Sequence, residues 1–262
     1  MNLTVDGLPV FAATGGRVAR APDPNVIFLH GAGMDHTVWT LQTRFFAHHG
    51  RNVFALDLPG HGRSAGEACE SIEAYAAWIL RAMDAAGLER AAIVGHSMGA
   101  LIALAAAAVS PQRIWAVALL GAAPAMPVHP DLLREARAQD HNAIDLVASW
   151  GFGRRAHLGG AQAPGMWLLG QGVRLLERDQ GRTLATDLAA CAAYDGARDA
   201  AGRVRCPALV LAGAQDRMTP PRGAAELGAL IEGARVVAIE GCGHMMMVER
   251  PDAVLDALTE IV

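Results

Sequence analysis

Short apolar runs recur along the chain at intervals that leave room for a helix between neighbours. Val26–Leu29, Val53–Leu56, Ala91–Val94, Ile114–Leu120, Ala208–Leu211 and Val236–Ile239 are apolar at consecutive positions rather than alternate ones. A strand covered on both faces reads that way. Between them lie stretches of helical length, Val38–His48, Ile72–Ala86, Ala100–Val109, Ala224–Leu230 and Ala253–Val262. Strand and helix in alternation predict an α/β fold, a mostly parallel, twisted sheet with helices on both faces. Val5–Ala13, broken by Gly7 and Pro9, reads as an amino-terminal hairpin, which brings the expected sheet to eight strands.

One interval departs from this rhythm. Between Leu120 and Ala208 no segment reads as a core strand. Pro124, Pro127 and Pro130 open the interval, and helical stretches follow over Asp131–Trp150, Met166–Asp179 and Thr183–Tyr194. The pattern predicts a helical lobe inserted over residues 124–200, with the core formed by 1–123 and 201–262.

The run Ala91–Val94 leads directly into Gly95-His96-Ser97-Met98-Gly99, and an Ala- and Leu-rich helix follows. Glycines at 95 and 99 allow a strand-to-helix turn too tight for a Cβ at either place. Such a turn pushes the Ser97 hydroxyl out of the sheet and leaves the Met98 N–H at a helix start, where negative charge is stabilised. A serine hydroxyl needs a base and an acid to orient that base. Asp216 and His244 each stand just past the carboxyl end of an apolar strand. Ligands bind parallel sheets beyond those ends. Asp57, after Val53–Leu56, is the rival acid, although the proline and glycines behind it suit a loop brace.

Further motifs carry a resemblance. Leu29-His30-Gly31-Ala32-Gly33 follows a strand, and Asp57-Leu58-Pro59-Gly60-His61-Gly62-Arg63-Ser64 follows the next. Gly213 to Pro220 and Gly241-Cys242-Gly243-His244, with Glu249-Arg250-Pro251 behind, complete the order. With the Ser97 turn these resemble the α/β-hydrolase fold superfamily over nearly the whole chain outside the inserted lobe. The resemblance implies a Ser97–His244–Asp216 triad and an oxyanion hole from the backbone N–H groups of Ala32 and Met98. It also implies that the lobe is a cap over the site. Trp150, Trp167 and Met245, with His36 beyond the oxyanion turn, are then expected to contact substrate, and His30, His61 and His96 to brace loops.

Composition narrows the chemistry. All 22 basic residues are arginine, so Schiff-base, pyridoxal and P-loop lysine chemistry are excluded. Net charge is −4 and the arginines are scattered, which gives no nucleic-acid footprint. No apolar run approaches the roughly 18 residues of a membrane span, and no leader pattern opens the chain. Cys69, Cys191, Cys206 and Cys242 have no metal-ligand spacing, so reduced thiols in a cytoplasmic protein are expected, with neither metal nor organic cofactor. The expected activity is hydrolysis of small to medium carboxylic esters by a monomer or homodimer. A serine at the turn argues against dehalogenase chemistry, which needs a carboxylate there. Lactonase or carbon–carbon hydrolase and lyase readings share the triad; Arg154 and Arg155, turned inward, would favour a carboxylated substrate. A hydrolase-like ligand-binding signalling protein is the reading from another class.

Overall fold

The computed structural model describes residues 1–162, 165–179 and 181–262. Asn2–Val5 (β1) and Leu8–Ala13 (β2) form a hairpin through Asp6 and Gly7, both at positive φ, as a tight right-twisting turn requires. Asn25–Leu29 (β3) leads through a 3-10 turn at His36–Trp39 into Thr40–His48 (α1) and Asn52–Leu56 (β4). Ile72–Ala85 (α2), Ala91–His96 (β5), Met98–Val109 (α3) and Ile114–Leu120 (β6) follow. The eight strands lie in the order β1-β2-β4-β3-β5-β6 and then Ala208–Gly213 (β7) and Arg235–Ile239 (β8). Pairing is antiparallel at the hairpin edge and parallel from β4 onward.

Alternate side chains of the strands serve opposite faces. Ile27, Leu29, Ile93, Val117 and Val210 join one buried cluster with α2 and α3. Val26, Phe28, Val94, Ala118 and Leu209 join the other with α1. Helix α3 is apolar all round because it is buried all round: every residue from Met98 to Ala108 is inaccessible.

The insertion comprises Pro130–Arg137 (α4), His141–Gly151 (α5), Arg154–His157 (α6), Leu168–Arg178 (α7) and Leu184–Ala193 (α8). The single helix expected over Asp131–Trp150 is therefore two. Gln139 at φ +53° breaks it, and the Asp140 carboxylate caps the second helix through the Asn142 N–H at 2.9 Å. Ala197–Arg203 (α9) straddles the expected boundary between residues 200 and 201, and it packs on α3 and on Pro221–Leu230 (α10) rather than on the cap helices. Met246–Glu249 (α11) and Pro251–Leu258 (α12) close the chain. No helix among the described residues is long and apolar enough to cross a membrane.

Candidate active site

Ser97 sits between β5 and α3 at φ 55° and ψ −118°, a conformation that a non-glycine residue rarely adopts. The turn is over-determined by its neighbours. A Cβ on Gly95 would run into the carbonyl of Gly99, and one on Gly99 would lie 2.5 Å from the carbonyl oxygen of Leu29. The pattern of glycines is thus a steric demand of the strand-to-helix corner.

Asp216 and His244 reach the same end of the sheet from the loops after β7 and β8. The His244 Nδ1 lies 2.7 Å from Asp216 Oδ2. Asp216 also accepts the N–H groups of Met218 and Thr219, both at 2.8 Å, and the Thr219 hydroxyl at 2.8 Å. Burial raises the pKa of Asp216, but the charge of the His244 ring and the donors from His244 and Thr219 outweigh it and hold the carboxyl below its ordinary range. With Nδ1 occupied, His244 presents Nε2 outward. That atom is buried and has no hydrogen-bond partner among the described residues. Ser97 and His244 both line one cavity of about 580 Å³, between the end of the sheet and helices α5, α7 and α8.

The turn after β3 lies against the same wall. A Cβ on Gly31 would meet the Ser97 Cβ at 3.2 Å. The N–H groups of Ala32 and Met98 donate to no backbone or side-chain acceptor among the described residues, and Ala32 borders the cavity. Unpaired N–H groups beside a serine, one of them on the first turn of a twelve-residue helix, make an anion-stabilising corner.

The rest of the cavity is apolar. Met34, Leu132, Val147, Phe152, Leu184 and Leu188 form much of its wall, and Trp150 and Met245 border it as well. Two expected contacts are not there. His36 is turned toward β4: its backbone N–H and its Nδ1 both reach Asp57 Oδ1 at 2.8 Å. Trp167 is 64% exposed and folds over Gly170 of its own helix, outside the cavity. A ring that covers a glycine one turn ahead cannot also enter the site. Arg154 and Arg155 are exposed and do not border the cavity either. Arg217 and His129 do border it, both from exposed positions.

His30 and His96 are buried and bonded to backbone groups. His30 accepts the Leu58 N–H through Nε2 at 3.1 Å and faces the Gly31 carbonyl with Nδ1 at 2.9 Å; burial lowers its pKa to about 4, so it is neutral. His96 donates from Nε2 to the His244 carbonyl at 3.0 Å and is also kept neutral by burial. Asp57 is fully buried and takes the Arg63 N–H on its second oxygen at 2.9 Å. Asp35, His36 and Asp57 form a cluster of metal-ligand type, but its oxygens are engaged by Thr37, Arg178, His36 and Arg63. Burial pushes the Cys242 thiol up to about 12, and its sulfur bonds the Ile239 carbonyl.

Three residues at the site were not singled out from sequence. Thr219 lies inside the Gly213–Pro220 motif, and Glu249 inside Glu249-Arg250-Pro251. Asp187 left a clearer signal, a lone carboxylate among Leu184, Leu188 and Cys191 on an apolar helix face.

The sheet order, the turn at Ser97 and the two following loops define a hydrolase of the α/β class, and comparison with known proteins agrees. A family model described as alpha/beta hydrolase fold matches residues 24–251, and the chain belongs to that family. It is 40% identical over 117 residues to the dihydrolipoyllysine-residue acetyltransferase component of the acetoin cleaving system of Cupriavidus necator, covering 44% of this chain and only 30% of that protein. It is 25% identical over 240 residues to (E)-2-((N-methylformamido)methylene)succinate hydrolase of Acinetobacter baylyi, covering 89% of this chain and 88% of that one. The enol-lactonase of Burkholderia xenovorans LB400 superposes with a TM-score of 0.89 at 26% identity, covering 100% and 99% of the two chains.

Proposed function

We propose that this hydrolase is a serine esterase acting on carboxylic esters with apolar acyl groups. One observation carries the reading: Ser97, strained at φ 55°, shares an apolar cavity with His244, whose Nδ1 is held by Asp216 and whose buried Nε2 is unpaired. In this reading Nε2 takes the hydroxyl proton as the Ser97 oxygen attacks the ester carbonyl. The N–H groups of Ala32 and Met98 hold the resulting oxyanion. His244 then gives the proton to the departing alcohol, and water repeats the sequence on the acyl-enzyme. The apolar part of the wall suits a hydrocarbon acyl group, because a carboxylate buried against it would be costly, whereas Arg217 on the same cavity offers a charged group a partner.

A lactonase reading stands beside it, favoured by similarity to a protein named as an enol-lactonase. It uses the same groups, with the alcohol leaving group tethered to the acyl carbon chain. We further propose a cytoplasmic location, a reading that four free cysteines support.

The test is hydrolysis of p-nitrophenyl esters from acetate to decanoate, with γ- and δ-lactones of matched length. Ser97→Ala should abolish turnover, and a fluorophosphonate should label Ser97 alone. Turnover undiminished in Ser97→Ala removes the proposal.

A further inference from the structure

Asp187 belongs to cap helix α8, yet its fully buried side chain ends inside the core. Three donors converge on it. Oδ2 accepts the Gly33 N–H at 2.9 Å and His61 Nε2 at 2.8 Å, and Oδ1 accepts the Tyr75 hydroxyl at 2.7 Å. The other ring nitrogen of His61 faces the Pro59 carbonyl at 2.8 Å. With an acceptor at each nitrogen, the ring holds both protons and is a buried cation. A pair of this kind is seldom more stable than apolar packing of the same volume, so stability alone does not account for it.

Gly33 gives the pair a job. It follows Ala32 directly and stands at φ +66° in a turn closed by the Met34 N–H on the Gly31 carbonyl at 3.2 Å. A Cβ on Gly33 would lie 3.1 Å from Leu184 and 3.3 Å from Leu176. Leu184 and Asp187 are three residues apart and share one face of α8. That face therefore grips Gly33 twice, its N–H through Asp187 and its Cα against Leu184. Through Leu184 and Leu188 the same helix borders the substrate cavity.

We propose that Asp187 is a positioning residue for the oxyanion site: by accepting the Gly33 N–H from the cap, it fixes the turn that aims the Ala32 N–H at the cavity. Cap helix and oxyanion turn are then set as one unit. Tyr75 donates to Oδ1, not to the oxygen that accepts the Gly33 N–H. The proposal rests on the esterase reading, since it assigns the turn a role in that reaction.

The experiment compares three variants on one p-nitrophenyl ester, with Tm, kcat, KM and the rate of Ser97 phosphonylation measured for each. Asp187→Leu removes every acceptor; kcat and phosphonylation should fall together by about tenfold to a hundredfold, approaching the loss of one oxyanion donor, with KM little changed. Asp187→Asn keeps an oxygen for Gly33 and can donate to Tyr75, so it should restore most of kcat. Tyr75→Phe should lower Tm and leave kcat near wild type. A folded Asp187→Leu with wild-type kcat, or a Tyr75→Phe that loses kcat equally, overturns the proposal. Should Asp187→Leu not fold, amide exchange in the unmodified protein decides. The Gly33 N–H should exchange far more slowly than that of exposed Gly16, and equal rates overturn the proposal. A wild type inert toward every ester would instead defeat the esterase reading, leaving the Gly33 exchange as a separate test.

Discussion

Glu249 Oε1 lies 2.8 Å from the backbone nitrogen of Gly243, the residue immediately before His244. The second oxygen accepts the Gly153 N–H at 2.9 Å, at the joint between α5 and α6. One buried carboxylate thus fastens a cap joint to the loop that carries the imidazole. The Met245 N–H on the Gly151 carbonyl at 3.1 Å and the Arg154 N–H on Gln215 Oε1 at 2.9 Å reinforce the seam.

Glu249→Ala should therefore strand two buried N–H groups, each costing about 1–3 kcal/mol. For a chain of this size the combined loss predicts a fall in Tm on the order of 10 °C. Calorimetry of the variant checks it, and Arg154→Ala, at an exposed position, serves as the silent control. A Glu249→Ala protein as stable as the control would show that water satisfies the seam.

Asp216, the acid of the proposed triad, is held by more than the imidazole. Asp216→Asn keeps the two loop N–H bonds but offers Nδ1 an amide that can present the wrong tautomer. A kcat loss of about ten-thousandfold is expected, as in other triads so altered. Thr219→Val removes one hydroxyl donor and leaves the other three bonds, so its loss should stay within roughly tenfold. Steady-state kinetics on a single ester rank the two. Equal losses would mean that the hydroxyl, which lies 3.1 Å from His244 Nδ1, orients the ring as much as the carboxylate does.

In the esterase reading the acyl group occupies the cavity, part of whose wall is α5. Ala148 is small, buried and part of that wall. Ala148→Trp should fill part of the cavity. The expected result is a loss of at least about tenfold in kcat/KM for octanoate with acetate nearly unchanged, since tenfold is about 1.4 kcal/mol, less than the value of two buried methylenes. A chain-length series reads this directly; uniform loss across the series would place the acyl group elsewhere.

How much of this was legible beforehand follows from the range of the forces involved. The Ser97 turn could be read because its requirement is local: Gly95 and Gly99 collide with backbone within five residues or with the adjoining strand. The alternation of strands and helices was legible for the same reason, since continuous apolar runs mark strands covered on both sides. His36 and Trp167 do not border the cavity, because which way a side chain leaves a loop or a helix start depends on what it meets. For His36 that is Asp57, on the next strand's loop. For Trp167 it is Gly170, and composition alone did not separate covering a glycine from lining a cavity. The break at Gln139 carries no proline or glycine and so left no mark. Asp187 was the harder case, because its partners lie 112, 126 and 154 residues away.

The buried histidines predict a stability maximum near neutral pH. His30 is neutral in the fold, with its pKa lowered to about 4 by burial, whereas an unfolded chain binds that proton near pH 6.5. Stability must therefore fall as pH drops from about 6.5 toward 4, by roughly 3 kcal/mol from this ring alone, and His96 adds to the same limb. Asp216, lowered below its ordinary value, acts lower still: its contribution is present above about pH 4 and is lost as pH falls through the folded value. His61 has the opposite sign. Burial opposes its charge, but Asp187 and the Pro59 carbonyl prevail and raise its pKa. The stability it contributes is complete below about pH 6.5 and disappears as pH rises through the raised value. Urea unfolding from about pH 4 to 10 should trace a dome. In Asp187→Asn, where the cation loses its counter-charge, the alkaline decline should flatten and the acid limb should steepen, because burial then lowers the His61 pKa as it does that of His30. An alkaline limb identical in both proteins would mean that His61 does not carry its charge in the folded state.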